Sequence, residues 1–247
     1  MGDTNPRRVT LKLLGGCYLL VEGKLVQGVP ANFFRIAAYL ILTNPDQVQP
    51  RSRLSTLLWP QADEGKAAAN MRQAVARIRS LQEEHRFHLI TANFSTLHLE
   101  PIEDMYCDLL EFIRASQLEL SPLQLCRLYD GELLSDLGSG SEDFEDWLSS
   151  QRNELLLQAV DGIARGIQPD SPLDHADRAT CARRLLELDP YREDALCVLM
   201  EEAAERRHFG RVSQLYTSMR TMLADELGVE PSAETRAFYN NLMQNPR

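Results

Sequence analysis

The sequence predicts a mainly α protein with a small β part, arranged as two modules. An α+β module spans residues 1–102 and an all-α module spans 103–247. Three observations carry this. Alternating, strand-like patterns are confined to the first hundred residues, and helical periodicity runs almost unbroken from about Asp104 onward. The charge also changes sign. Residues 1–100 hold 12 basic and 8 acidic side chains, whereas residues 101–247 hold 14 and 28, within a chain of net charge −10. Such asymmetry points to two modules with different partners.

In chain order, Val9, Leu11 and Leu13 alternate with polar residues, Gly15-Gly16 suggests a turn, and Tyr18 to Val21 resumes the strand pattern. Gly23-Lys24 reads as a hairpin turn before Leu25-Val26. A helix follows over about Asn32 to Leu42, stopped before Asn44-Pro45. Gln47 to Gln49 reads as a short strand. Helices then cover Arg51 to Leu58 and Glu64 to Glu83, with Asp63 and Glu64 suited to the positive end of the second. Phe87 to Thr91 and Thr96 to Leu99 flank Ala92-Asn93-Phe94-Ser95 as a hairpin poor in charge. Strands, three helices and a hairpin, in that order, make a winged helix-turn-helix, in which the third helix enters a DNA major groove.

That third helix separates apolar from cationic positions. At 3.6 residues per turn, Ala68, Val75, Ile78 and Gln82 fall within about 60° of Met71, which defines a core face. The opposite side carries Lys66, Ala69, Asn70, Gln73, Ala76, Arg77 and Ser80, with Arg72 and Arg79 on one flank. Amides and guanidiniums suit base edges and phosphates, and the small alanines allow close approach to a groove. The same residues also suit an ordinary solvated helix face, because Lys, Arg and Gln are common there.

The second module reads as helices over Glu111–Leu118, Pro122–Tyr129, Ser141–Ile167, His175–Leu188, Tyr191–Arg207, Arg211–Leu227 and Ala233–Gln244. In the longest, Phe144, Trp147, Leu148, Leu155, Ala159 and Ile163 recur at helical spacing until Pro169. Asp189-Pro190 and Glu230-Pro231 read as helix starts, and Gly228 as a helix end. Helices of this length joined by short turns predict stacked antiparallel pairs, a TPR-like array.

Enzyme chemistry finds little support. No GxxxxGKS/T or GxGxxG phosphate loop and no HExxH occurs. Glu205 and His208 form a single ExxH, which reads as a surface pair. Asp170, Asp174, His175 and Asp177 read as a solvated loop and helix start, and Ser139-Gly140-Ser141 has no strand before it. Trp59 and Trp147 read as core anchors. No cofactor and no metal is expected. Apolar residues make up 44% of the chain and charged residues 25%, as in soluble globular proteins. No membrane span and no signal peptide is legible. Cys17, Cys107, Cys126, Cys181 and Cys197 are odd in number and widely spaced, so they read as reduced core residues of a cytoplasmic protein.

TyrAspGlyGluLeuLeu at 129–134, GluAspPheGluAspTrpLeu at 142–148 with Arg152, LeuGluLeuAspProTyrArgGluAspAla at 186–195 and GluLeuGlyValGluProSer at 226–232 resemble the bacterial transcriptional activator domain. That domain is the TPR-like half of SARP-type activators. LeuLeuGlyGly at 13–16, ArgLeuSerThrLeuLeuTrpPro at 53–60 and AlaAlaAlaAsnMetArgGlnAlaValAlaArgIleArg at 67–79 resemble its usual partner, an OmpR-like winged helix. The resemblance implies binding to double-stranded promoter DNA, often on direct repeats, and recruitment of RNA polymerase. It carries the DNA-contact role onto Asn70, Arg72, Gln73, Arg77 and Arg79, and implies that Pro60 to Glu64 faces the transcription machinery. Arg51 and Arg53 start the preceding helix, where side chains and amides reach phosphate. The expected function is therefore a promoter-binding activator. Its partners would be polymerase or a sigma factor and a second copy of itself. The alternative is an interaction scaffold whose winged helix has lost DNA binding, which the uncharged hairpin and the acidic balance favour.

Overall fold

The computed structural model describes residues 8–43, 48–100, 105–118, 121–138 and 140–244. The helix stop at Asn44-Pro45, the start of the strand at Gln47, the module boundary after residue 102, and Ser139 lie outside these residues. The chain is mainly α with a small β part, and it divides into two compact units. One comprises Met1–Arg114 with Leu128–Leu155, the other Ala115–Arg127 with Leu156–Arg247. This division by contact differs from a single cut after residue 102, because the chain enters the second unit, returns to the first and leaves it again.

The first unit opens with β1 (Val9–Lys12), β2 (Tyr18–Val21) and β3 (Lys24–Leu25). Val9 and Leu11 are fully buried, as the alternation requires. The β2–β3 turn is Glu22-Gly23, not Gly23-Lys24. Both residues have positive φ, 51° and 75°, the signature of a type I′ turn whose twist matches the strands. α1 (Ala31–Thr43) contributes Phe33, Ile36, Ala37 and Leu40 to the core. β4 (Gln49–Pro50), α2 (Arg51–Leu58) and α3 (Glu64–Glu84) follow, then β5 (Ile90–Ala92) and β6 (Thr96–Leu99), and β4, β6 and β5 form a three-stranded antiparallel sheet.

Strand structure does not end there. β7 (Met105–Cys107) lies parallel to β1, pairing Val9 with Met105 and Leu11 with Cys107, and completes a sheet of order β3-β2-β1-β7. Three residues carry too short a pattern to register against the helix that follows, α4 (Asp108–Gln117). Asp108 heads that helix and is almost fully buried. Its carboxylate accepts the N–H groups of Leu13 and Leu14 at 2.8 and 2.9 Å, and that of Leu109 at 2.8 Å. Burial pushes its pKa up, and these three donors and nearby Lys12 oppose the shift.

Residues 128–138 close the same sheet. Leu133 bridges Leu14, Leu134 donates its N–H to the Leu13 carbonyl at 2.8 Å, and Gly15 donates to the Glu132 carbonyl at 2.9 Å. Lys12 Nζ meets Asp130 at 2.8 Å, and the Cys17 N–H meets Asp136 at 2.9 Å. Gly131 lets the two segments approach closely, because a side-chain carbon there would lie 3.0 Å from the Gly15 Cα. α6 (Glu142–Ala164) begins behind Ser141, whose hydroxyl accepts the Phe144 N–H at 3.2 Å and donates to the Leu57 carbonyl at 2.5 Å. Trp147 packs on Tyr39, ring centroids 5.4 Å apart, so it is half-buried rather than a deep core anchor.

The second unit holds α5 (Pro122–Leu128) up to Arg127, the later turns of α6 with a tight 3₁₀ turn at Arg165–Ile167, α7 (His175–Leu188), α8 (Glu193–Glu205), α9 (Phe209–Met222) with a wider π-type end at Leu223–Leu227, and α10 (Ala233–Gln244). Helices α7 to α10 pack as successive neighbours around Leu196, Met200, Val212, Tyr216 and Met219, the paired stacking expected of a TPR-like array. Asp174 caps α7 through the Asp177 N–H at 2.8 Å, and Gly228 adopts φ 68° after the π-type end. Asp189-Pro190 does not start α8. Asp189 closes α7 and the residue before α8 is Arg192. Likewise Ser232, not Glu230, accepts the N–H of Thr235 at the start of α10. Glu205 does not face His208 as a pair; it meets His175 at 2.9 Å. Among the described residues no helix is long and apolar enough to cross a membrane.

Candidate nucleic-acid interface

The sequence of α3 decides both how the helix is held and what it presents. Asp63 accepts the Lys66 N–H at 2.8 Å, and its carboxyl is held below the usual range by that bond and by the Lys66 ammonium. The buried face is Ala67, Met71, Ala74, Val75, Ile78, Leu81 and Gln82. It is wider than the stripe centred on Met71 suggests, and Ala68 lies at its edge rather than inside.

Gln82 is a buried amide with a structural task. Its Oε1 accepts the N–H groups of Leu89 and Ile90 at 3.0 and 2.8 Å, and its Nε2 donates to the Ile90 carbonyl at 3.0 Å. The end of α3 is thereby bonded to the start of the hairpin. Arg51 secures the other strand. Its backbone N–H donates to the Ser95 carbonyl at 2.8 Å and its Nε to the Thr96 carbonyl at 3.3 Å. This corrects the expectation for Arg51, whose amide is already committed to the hairpin. Its guanidinium pKa is lowered by burial and by the neighbouring positive charge of Arg79, so the two cations share one neighbourhood.

Lys66, Arg72, Gln73, Arg77, Arg79 and Ser80 are exposed, as is Arg53 on α2, and Asn70 is half-buried. No carboxylate occurs between Lys66 and Gln82. Asn70, Gln73 and Arg77 line one open cavity of about 370 Å³ together with Asn32 and Arg35 from α1. Arg53, Arg72, Arg79 and Ser80 lie outside that cavity. Arg35 is a contributor that sequence reasoning missed. Inside an apolar helix its only signal was being a charge where none was needed. It donates to the Gly138 carbonyl at 2.6 Å and to Asn32 at 3.2 Å, and sits over the Phe144 ring at 5.8 Å. At the hairpin tip, Phe94 is 100% exposed.

A winged helix whose third helix is cationic and free of carboxylates from Lys66 to Gln82, followed by paired helices, is an arrangement suited to a transcriptional regulator. Residues 124–243 match the family model of the bacterial transcriptional activator domain. The chain is similar to the transcriptional regulatory protein MoaR1 of Mycobacterium tuberculosis and of Mycobacterium bovis, in each case 23% identical over 262 residues, 99% of this chain and 82% of the relative. Its fold is that of Mycobacterium tuberculosis EmbR, solved in complex with a low-affinity phosphopeptide. That match has a TM-score of 0.63 and 20% identity, and covers 96% of this chain and 65% of that one. The chain thus spans slightly less than two thirds of the solved relative. The second half of the chain thus matches the bacterial transcriptional activator domain, and the chain as a whole is similar to transcriptional regulatory proteins.

Proposed function

We propose that this chain is a cytoplasmic, sequence-specific DNA-binding transcription regulator and an activator. Its α3 lies in the major groove of promoter repeats, and its helical half recruits RNA polymerase or a sigma factor. The observation that carries the reading is the exposed face of α3, where Lys66, Arg72, Gln73, Arg77 and Arg79 stand without an intervening carboxylate on a helix fixed at both ends. Gln73, Arg77 and half-buried Asn70 read bases, and the flanking Arg72 and Arg79 hold phosphate. Arg53, Lys66 and Ser80 extend the phosphate-facing rim. Lys66 is partly neutralised by Asp63 at 3.2 Å. Residues 1–102 supply the groove-reading face, and residues 103–247 the partner-binding face.

The test is a gel shift of the full chain on the promoter of its own gene at two salt concentrations. A DNA-dependent complex that weakens steeply with salt supports the regulator, because phosphate contacts release counterions. The second reading, a scaffold without DNA binding, is favoured by the nearly neutral hairpin and its bare apolar tip at Phe94. Absence of any complex at low salt selects it.

A further inference from the structure

Two thiols in the helical unit meet. Cys126 on α5 and Cys181 on α7 stand with their sulfurs 3.9 Å apart, though 55 residues separate them in the chain. The packing around them holds this geometry. A side-chain carbon at Gly166, in the turn after α6, would lie 2.6 Å from the Cys181 sulfur and 2.9 Å from the Pro122 Cβ, so three segments converge with no space to spare. Leu125, next to Cys126 on α5, packs into the notch at Gly162 of α6. Cys181 is fully buried, whereas Cys126 is partly exposed.

We propose that Cys126 and Cys181 form an oxidation site, in which a peroxide converts the thiol pair into an intramolecular disulfide that staples α5 to α7. The partly exposed Cys126 is the sulfur that a small oxidant reaches. Its thiolate attacks one peroxide oxygen, the O–O bond breaks, and Cys126 becomes a sulfenic acid while hydroxide leaves and takes up a proton. Cys181 then attacks the Cys126 sulfur, the S–O bond breaks, and a second water leaves with the Cys181 proton. Two thiols and one peroxide give one disulfide and two waters. The sulfurs must close from 3.9 Å to about 2.05 Å. The electrostatics run in the same direction as the exposure. The hydrogen bond with Cys181 lowers the Cys126 pKa against the effect of burial, and Arg184 adds to it. The other thiols are poorer nucleophiles. Burial raises Cys17 and Cys197, and pushes Cys107 up to about 12. Cys17 and Cys107 also belong to the other unit, and Cys197 faces the Thr235 hydroxyl rather than a sulfur.

The experiment uses the full chain, freed of reductant, treated with hydrogen peroxide, blocked with an alkylating agent and mapped by mass spectrometry. The expected product is lighter by two hydrogens and contains one linked peptide pair holding Cys126 and Cys181. Dithiothreitol reverses it, and both Cys126→Ser and Cys181→Ser lack it. The oxidised wild type melts at a higher temperature than the reduced one, and the serine variants show no such rise. Three results overturn the proposal. They are sulfenic or sulfinic acid on Cys126 without a cross-link, a cross-link that engages Cys17, Cys107 or Cys197, and no reaction under peroxide that oxidises a free cysteine peptide. If either serine variant fails to fold, the wild-type peptide map decides alone.

Discussion

Arg77 and Arg72 are both exposed cations on α3, yet their surroundings differ. Arg77 shares a cavity with Asn70 and Gln73, whose amides can pair with base edges, whereas Arg72 lies outside it. Arg77→Ala is therefore expected to cost roughly 1–3 kcal/mol on the specific site and relax specificity at one position. Arg72→Ala should weaken all sequences alike and lower the salt slope by about one. Titrations on specific and random DNA check this, and equal losses on both for Arg77→Ala refute its base-reading role. Gln82 is a different kind of residue, since it serves folding. Gln82→Leu strands the N–H groups of Leu89 and Ile90 in a buried setting, at about 1–3 kcal/mol for each unsatisfied group. The urea midpoint should fall with an unchanged slope, and an unchanged midpoint would remove the anchor role. Glu193 gives a pH signature. Burial raises its pKa, but Thr235 and the Ser232 N–H and hydroxyl outweigh that and hold it below the ordinary value. A depressed folded-state pKa stabilises the fold above the unfolded glutamate value of about 4.3, and this stability is lost as pH falls through the folded value. Thermal midpoints measured from pH 6 downward should drop less steeply in Glu193→Gln than in the wild type; parallel curves would refute the linkage.

Helices were legible in the sequence and long-range closures were not. The spans Arg51–Leu58, His175–Leu188 and Ala233–Gln244 follow from periodicity and flanking breakers, because each helix bonds within itself. β7 carries no local signature. Its three residues become a strand only because β1, nearly a hundred positions earlier, offers a parallel edge. No local pattern shows that Asp108, Asp130 and Asp136 hold the Leu13 and Leu14 amides, Lys12 and the Cys17 amide, partners about a hundred positions away. At the candidate site the cationic face of α3 was legible, while Arg35 and the diversion of Arg51 to the hairpin depend on neighbours from other elements. These closures make a prediction about elements. A fragment of residues 1–100 lacks β7, Asp108, the Leu133 bridge and Trp147, and so exposes the β1 edge and one side of α1. It is expected to be largely unfolded by circular dichroism, whereas residues 1–164, which carry α6 to its end, should show a cooperative melt. A stable 1–100 fragment would refute this account of the unit.

The acidity of the whole chain is confined to its later part, 28 acidic against 14 basic side chains after residue 100. An acidic surface repels a phosphate backbone, so it stabilises no DNA complex. The proposed recruiting role predicts that a partner with basic patches would be steered toward it and held by apolar contacts such as exposed Tyr191 and Leu227. A charge that served only solubility would need no partner. Transcription in vitro with purified polymerase separates the two, comparing the full chain with residues 1–164 on one promoter at matched occupancy. Both contain α3 and its anchors, so both should bind DNA; residues 165–247 carry 14 acidic against 11 basic side chains, so the fragment keeps most of the acidic excess and should bind random DNA about as tightly as the full chain. Only the full chain should raise transcript yield, and that gain should shrink as salt screens the steering. If the fragment activates as well as the full chain, the helical unit is not the recruiting element.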